Sequence, residues 1–382
     1  MKKWIKENFN IFSKVILLIS IIFILIVLSL FQLNPNICEW WTRTISRFYQ
    51  TGIGFIFKYI PFSIIELISI ALIIFGIVLI IQIIKTLVKK QYKIALNKSL
   101  IMSNIILSIV TGYVATTSLA YYRLPIPIPL YNEHVEKEKF NGVVQYFLDD
   151  YNYCSSQLEY YENGEVKMPY SRQQLANNII NQYSKIKTPY LSSFTTNPKA
   201  MLTSFLYVEF QITGVYSGLT GEVNYDYYMT NGEYPFTFAH EIAHSKGVMR
   251  ENDAQLLAAY ICLNSSDIYL RYSAYLYTFT SLLSLTKYTG NKDDYKNMVQ
   301  QMDESIIKNY DYISKYWKEH DILGDFGEFF NNLYLKLFGG ESTDSYDDTP
   351  VVVDPSTNEI KSFSRYQKLY FQRYVDLGNN LK

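Results

Sequence analysis

The sequence predicts a multi-pass membrane anchor of three transmembrane helices followed by a mainly α-helical α+β domain outside the cytoplasm. Three observations carry that reading. Apolar stretches of bilayer length occur only before residue 125, the charge divides at the same point, and beyond it apolar positions recur at helical spacing with one hairpin-like interruption. The 382 residues include 35 Lys and Arg and 35 Asp and Glu, a formal net charge of zero. Residues 1–125 hold 13 basic and 3 acidic residues, a net +10, whereas residues 126–382 hold 22 and 32, a net −10. Zero is therefore a cancellation between unlike halves. It excludes a basic nucleic-acid-binding chain, because the larger half has no sustained Lys/Arg surface. Ample Ile, Leu, Phe and Tyr excludes global disorder.

The anchor is expected over residues 1–123. Its apolar runs are 15–33, 62–84 and 99–122, each near the roughly 20 residues that a spanning helix needs. The first has a basic start but is too long for a signal peptide and lacks a small-residue cleavage site, so it reads as an uncleaved anchor. Lys2, Lys3, Lys6 and Lys14 flank it, and Lys85, Lys89, Lys90, Lys93 and Lys98 lie between the second and third runs. The loop between the first two runs has only Arg43, Arg47 and Lys58. The richer segments are expected in the cytoplasm, which puts the amino terminus inside and the carboxy-terminal half outside. Trp40 and Trp41 then fit the outer interface, with Glu39–Tyr59 lying along it as an amphipathic helix. Glu66 falls in the first turns of the second helix, where it is expected to stay hydrated. Leu124-Pro-Ile-Pro-Ile-Pro-Leu130 is a stiff, extended spacer, because alternate prolines forbid a helix.

Residues 131–382 are long enough for one sizeable core. Helical periodicity is found around 135–150, 171–186, 253–263, 267–287, 293–318 and 362–377. Phe205–Gly214 and Gly221–Tyr228 instead alternate and read as a short hairpin. The uncharged run Tyr272–Thr286 is too short to span and reads as a buried core helix. Residues 339–360 form an acidic, turn-rich stretch whose Asp344, Asp347, Asp348 and Asp354 match no EF-hand spacing, so a solvated loop is favoured over a calcium site. Cys38, Cys154 and Cys262 make no disulfide framework and read as buried free thiols.

Two of only four histidines stand in His240-Glu241-Ile242-Ala243-His244. Positions i and i+4 share a helix face, so both imidazoles reach one metal ion, while the glutamate points to where a metal-bound water would sit. Glu233-Tyr-Pro235 precedes the motif as a helix start, Ala239 and Ala243 leave space beside the histidines, and Ser245-Lys-Gly247 supplies a stop. A catalytic zinc site needs a third protein ligand and one open position. On a continuous helix Glu251 would lie about 10.5 Å beyond His244 along the axis, out of reach. A reversal at Gly247 brings it back, which makes Glu251 the expected third ligand, with Asp253 and Asp267 as fallbacks. Zn2+ on His240, His244 and Glu251 would acidify a water, Glu241 would take its proton, and the hydroxide would attack a peptide carbonyl. Arg271, Tyr272 and Tyr275 are the candidates for a further oxyanion donor. Gly221–Tyr228 is the candidate edge strand for docking an extended peptide.

Taken in order, the three amino-terminal helices, Ile60-Pro-Phe-Ser-Ile-Ile-Glu-Leu67, Ser217-Gly, Gly221-Glu-Val-Asn, His240-Glu-Ile-Ala-His-Ser-Lys-Gly247, Glu251-Asn-Asp-Ala254 and Arg271-Tyr-Ser-Ala-Tyr275 resemble the uncharacterised bacterial membrane proteins of domain-of-unknown-function family 3810. The resemblance covers nearly the whole chain. It implies a zincin-like zinc metallopeptidase in a bacterial cell membrane and supplies no substrate. The chain has Asp253 and Gln255 where that family usually has Glu and Asn; the second departure weakens the likeness of Glu251-x-x-Ala-Gln to the E-x-x-A-[DN] pattern of zinc peptidases. The expected function is a membrane-anchored zinc peptidase acting on a peptide or protein substrate outside the cytoplasm. The alternative is a non-catalytic, zinc-stabilised sensor or assembly protein. An intramembrane protease is disfavoured, since His240 lies more than 110 residues past the last apolar run.

Overall fold

The computed structural model describes residues 2–338, 352–353 and 360–381. The chain forms two compact units, Met1–Leu124 with Ser217–Glu222, and Pro125–Tyr216 with Val223–Lys382. In the first, α1 (Lys2–Phe31), α2 (Pro35–Trp41), a π-helical turn (Thr42–Ser46), α3 (Arg47–Phe57), α4 (Ile64–Val88) and α5 (Tyr92–Thr116) follow one another. Phe9–Phe31, Ile64–Val88 and Tyr92–Tyr122 are long and apolar enough to cross a membrane.

An apolar helix still has to satisfy its first N–H groups. In α4 the Ser63 hydroxyl accepts from Glu66 N, and the fully buried Glu222 carboxylate accepts from Ile64 N at 3.0 Å and Ile65 N at 2.9 Å. Glu66 sits in that first turn but is buried, not hydrated, at 6% exposure. The segment read as one amphipathic helix is α2, the π turn and α3. Its inner face carries Gln50, whose Nε2 donates to Thr116 O at 2.7 Å, and its outer face exposes Phe48 and Tyr59. Arg123 holds Glu39 with two bonds of 2.8 and 2.9 Å.

The second unit is mostly helical with a small sheet. Its elements are α6 (Phe140–Ser156), α7 (Arg172–Lys185), β1 (Lys199–Ala200), α8 (Ser204–Tyr207), β2 (Gly214–Ser217), β3 (Glu222–Tyr225), α9 (Tyr234–Ser245), α10 (Glu251–Leu263), α11 (Ile268–Leu283), α12 (Asp294–Gln300), α13 (Glu304–Glu319), α14 (Gly324–Phe338), β4 (Val352–Val353), β5 (Ile360–Ser362) and α15 (Arg365–Asp376). Three differences from the sequence reading have identifiable causes. The alternation over Phe205–Phe210 belongs to α8 and a 3-10 turn, ended by Gln211 at φ 56°, and the strand starts only at Gly214. The periodicity over 293–318 covers two helices, because Asp303 stops to cap α13, its carboxylate accepting from Ser305 N at 2.8 Å. The sheet order is β1-β3-β2, with Lys199 opposite Asn224 in a parallel β1–β3 pair. The segment Gly221–Tyr228 therefore supplies the inner strand, and β2 is at the edge.

The core centres on α9, every residue of which is buried. Phe236 stacks on Tyr277 of α11, with centroids 4.3 Å apart. The run from Tyr272 is indeed a core helix, α11 and the 3-10 turn after it, whose Tyr275 and Phe279 pack on Tyr151 and whose Tyr275 also stacks on Tyr370. The three cysteines are buried free thiols. Most of the acidic stretch 339–360, with Asp344, Asp347, Asp348 and Asp354, lies outside the described residues.

Candidate metal centre

Helix α9 follows a 3-10 turn, Asn231–Glu233, that opens on a capping box in which the Thr230 hydroxyl accepts from Glu233 N and the Glu233 carboxylate from Thr230 N, and Pro235 lies in the first turn of α9. One of its first-turn donors, Phe236 N, donates to the Ser273 hydroxyl at 3.2 Å. The helix is thus held from its first residue, and Tyr183 fixes its middle by donating to Ala239 O at 2.7 Å.

Its end is a Schellman turn. Gly247 has φ 92°, its N–H donates to His244 O at 2.9 Å, and Val248 N donates to Ala243 O at 3.2 Å. A residue with a Cβ is costly at that φ. The turn has two consequences. It reverses the chain so that α10 opens on Glu251, as the position of Gly247 predicts. It also sets the Val248 carbonyl 2.7 Å from His244 Nδ1. A carbonyl only accepts, so Nδ1 carries the proton and the Nε2 lone pair of the neutral ring points away from the turn.

That Nε2 lies 3.0 Å from His240 Nε2 and 3.4 Å from Glu251 Oε2, and the latter two atoms are 3.1 Å apart. Among the described residues these three form the one group of His, Cys, Asp and Glu side chains with the spacing of a metal site. Tetrahedral zinc with bonds of about 2.0–2.1 Å holds its ligand atoms about 3.3 Å apart. The triangle of 3.0–3.4 Å fits that requirement, and the donor set of two imidazoles and a carboxylate suits zinc. His240, His244 and Glu251 are 6–8% exposed. Burial opposes the charged forms, but the pair overrides it. Glu251 beside His244 pushes that imidazole up to about 9, and His244 and His240 hold the Glu251 carboxyl well below its usual range. The site therefore concentrates electron pairs around one point and recruits positive charge to it.

Glu241 lies on the same helix, 5% exposed. Burial raises its pKa, the two imidazoles lower it and Glu251 raises it further. Its Oε2 has no hydrogen-bond partner among the described residues. A buried, orphaned carboxylate oxygen costs stability, and this one lies beside the cluster.

The other candidates are elsewhere. Asp253 is held by Arg250 at 2.8 Å and Arg365 at 2.5 Å. Asp267 caps α11 and accepts from Tyr170 and Asn178. Arg271 is bonded to Asp150 and the Ser265 carbonyl, and the Tyr275 hydroxyl also goes to Asp150. Tyr272 is packed against Tyr151 and Tyr160 in the core. The structure thus brings His240, His244, Glu251 and Glu241 together and does not bring Arg271, Tyr272 or Tyr275 to them. It adds two residues that the sequence reading passed over. Gly214 lies against Glu241, and the Tyr216 ring lies beside His244, its plane 29° from the imidazole's and the centroids 6.4 Å apart.

Fold and site define a mostly helical protein with three apolar helices of membrane-crossing length and a buried two-histidine, one-glutamate cluster. The chain belongs to the family described as protein of unknown function (DUF3810), which matches residues 41–352. No curated protein and no solved structure matches it.

Proposed function

We propose that the chain is a membrane-anchored, zinc-dependent metallopeptidase with a zincin-like domain that hydrolyses peptide bonds outside the cytoplasm. The observation that carries the proposal is the triangle of His240, His244 and Glu251 donor atoms with the unpartnered carboxylate oxygen of Glu241 on the same helix. A zinc ion held by the three donors supplies Lewis acidity for hydrolysis near neutral pH. Glu241 is the general base: its free oxygen takes a proton from the attacking water and returns it to the leaving amine. Val248 keeps His244 in the tautomer whose Nε2 is a ligand. The lipid bilayer receives the three apolar helices, and their basic flanks favour a cytoplasmic amino terminus.

The depth of burial favours a second reading, in which zinc only stabilises the fold of a sensor or assembly protein, since structural zinc sites are closed. Glu241 separates the two. A structural site needs no carboxylate there and gains stability when the orphan oxygen is removed.

The test is metal analysis and peptide turnover by the full chain in detergent, with wild type and Glu241→Gln compared. We expect close to one zinc per chain in both and a loss of turnover of about 10²–10⁴-fold in the variant. Zinc retained with equal turnover would sink the base. Absence of zinc would sink the site.

A further inference from the structure

We propose that Gly214 is a positioning residue for Glu241: the bare backbone at the start of edge strand β2 is the wall that holds the carboxylate in its reactive pose. The inference rests on the peptidase reading and goes beyond it by assigning a residue outside the motif. A Cβ built at position 214 would fall 2.6 Å from Glu241 Cγ, 2.7 Å from Oε1 and 2.8 Å from Cδ. All three nearest atoms belong to the one side chain. Gly164, Gly221, Gly247, Gly290 and Gly378 have positive φ, and Gly214 does not share it, so its backbone conformation is open to any L-residue. What excludes a side chain at 214 is therefore Glu241 itself.

The contact is oriented. Oε1 is the oxygen under the strand, while Oε2 is the one left without a partner. Side chains alternate along a strand, so positions 214 and 216 share a face. Tyr216 on that face neighbours His244, with ring centroids 6.4 Å apart, and the same side of β2 thus runs along both the base and a ligand. The strand is fixed in turn from β3, where Asn224 Nδ2 donates to Val215 O at 3.3 Å. A backbone wall suits this task, because it has no rotamer of its own and cannot swing away.

Gly214→Ala has to push Glu241 aside, and a displacement on the order of 1 Å at a reacting group costs roughly 10²-fold in rate. The experiment uses the full chain in detergent and reads kcat, KM, zinc content and Tm for wild type, Gly214→Ala, Glu241→Ala and the double variant. We expect Gly214→Ala to lose about 10–100-fold in kcat with KM and zinc content unchanged. We expect its Tm to drop by several degrees in the wild-type background and hardly at all in the Glu241→Ala background, where the obstructing atoms are gone. If the single variant fails to fold, the double variant is expected to fold. Wild-type kcat in Gly214→Ala, or an equal Tm penalty in both backgrounds, overturns the assignment. So does a double variant that fails to fold alongside the single. Zinc-free or Glu241-independent wild type would remove the peptidase reading and the positioning role together, and the Tm coupling would still report whether the contact exists.

Discussion

Glu251 and Asp253 stand two positions apart in the first turn of α10, and their surroundings give them different tasks. The Glu251 carboxylate faces His240 and His244, whereas Asp253 is neutralised between Arg250 and Arg365. Glu251→Ala is therefore expected to release zinc from the purified protein. Asp253→Asn is expected to keep it while losing about 1–3 kcal/mol of stability, since two largely buried guanidiniums lose the charge of their buried partner. Zinc retention in the first variant or loss in the second would reverse the assignment. This distinction was half legible in the sequence, where Gly247 implies a reversal and Glu251 is the first carboxylate after it. Gly214 and Tyr216 were not, because they act through a strand of four residues whose partner helix lies about 25 positions further on, and spacing along the chain carries no sign of such a contact. The oxyanion candidates Arg271, Tyr272 and Tyr275 failed for the opposite reason. They are near in sequence, but the α11 face that carries them packs on α6 and not on the motif.

Asp226 adds a prediction with a defined sign. It is fully buried, one oxygen accepts from Tyr228 N at 3.0 Å and the other has no partner among the described residues. Burial pushes its pKa up to about 6, against the Tyr228 amide, the Ser204 hydroxyl and His320, which favour the charged form. A carboxyl with a raised folded pKa contributes its full stability below the unfolded value near 3.8 and loses it as pH rises through about 6. The loss by pH 8 is roughly 2–3 kcal/mol. Asp226→Asn is accordingly expected to raise Tm at pH 8 and to make no difference near pH 4. Equal Tm shifts at both pH values would show that Asp226 does not titrate in the fold.

At the scale of elements, the parts that carry caps and stops were legible and the parts that depend on partners were not. Helices α7, α10 and α11 lie close to where apolar spacing puts them, because Ser171, the Gly247 reversal and Asp267 mark their starts in residue type as well as in space. The alternating Phe205–Phe210 is helical and pairs with no strand among the described residues, because alternation alone does not fix a strand. The Schellman turn after α9 is where element and site meet. It closes the helix and also presents Val248 O to His244 Nδ1. Gly247→Ala forces a Cβ into the left-handed region at about 1–2 kcal/mol, and any relaxation moves that carbonyl and Glu251. We expect a Tm lower by several degrees and a zinc Kd raised about 10–100-fold, the range for losing a partner of a ligating histidine. A Tm loss with unchanged zinc affinity would confine the turn's role to ending the helix.

At the scale of the whole molecule, the charge division bears directly on which side of a membrane the His240–His244–Glu251 cluster would face. The three apolar helices leave three polar regions on the anchor side, and their basic content is uneven. Lys2, Lys3, Lys6 and Lys14 lie at the amino terminus and Lys85, Lys89, Lys90, Lys93 and Lys98 from the last turn of α4 into the first turns of α5, against Arg43, Arg47 and Lys58 around α2 and α3. If retention of basic residues on the cytoplasmic side sets the direction of the crossings, three crossings put residues 125–382 outside. The net −10 of that half does not decide the matter, because acidic residues contribute little to orientation. The prediction is an alternating pattern in alkaline phosphatase fusions, an enzyme that folds only outside the cytoplasm: active when joined after Tyr59, inactive after Lys90 and active after Gly378. Replacing Lys89, Lys90 and Lys93 by Gln should weaken the pattern if charge sets it. The inverse pattern in the unaltered chain would place the His240–His244–Glu251 cluster in the cytoplasm and overturn the extracytoplasmic assignment, while leaving the chemistry of the cluster intact.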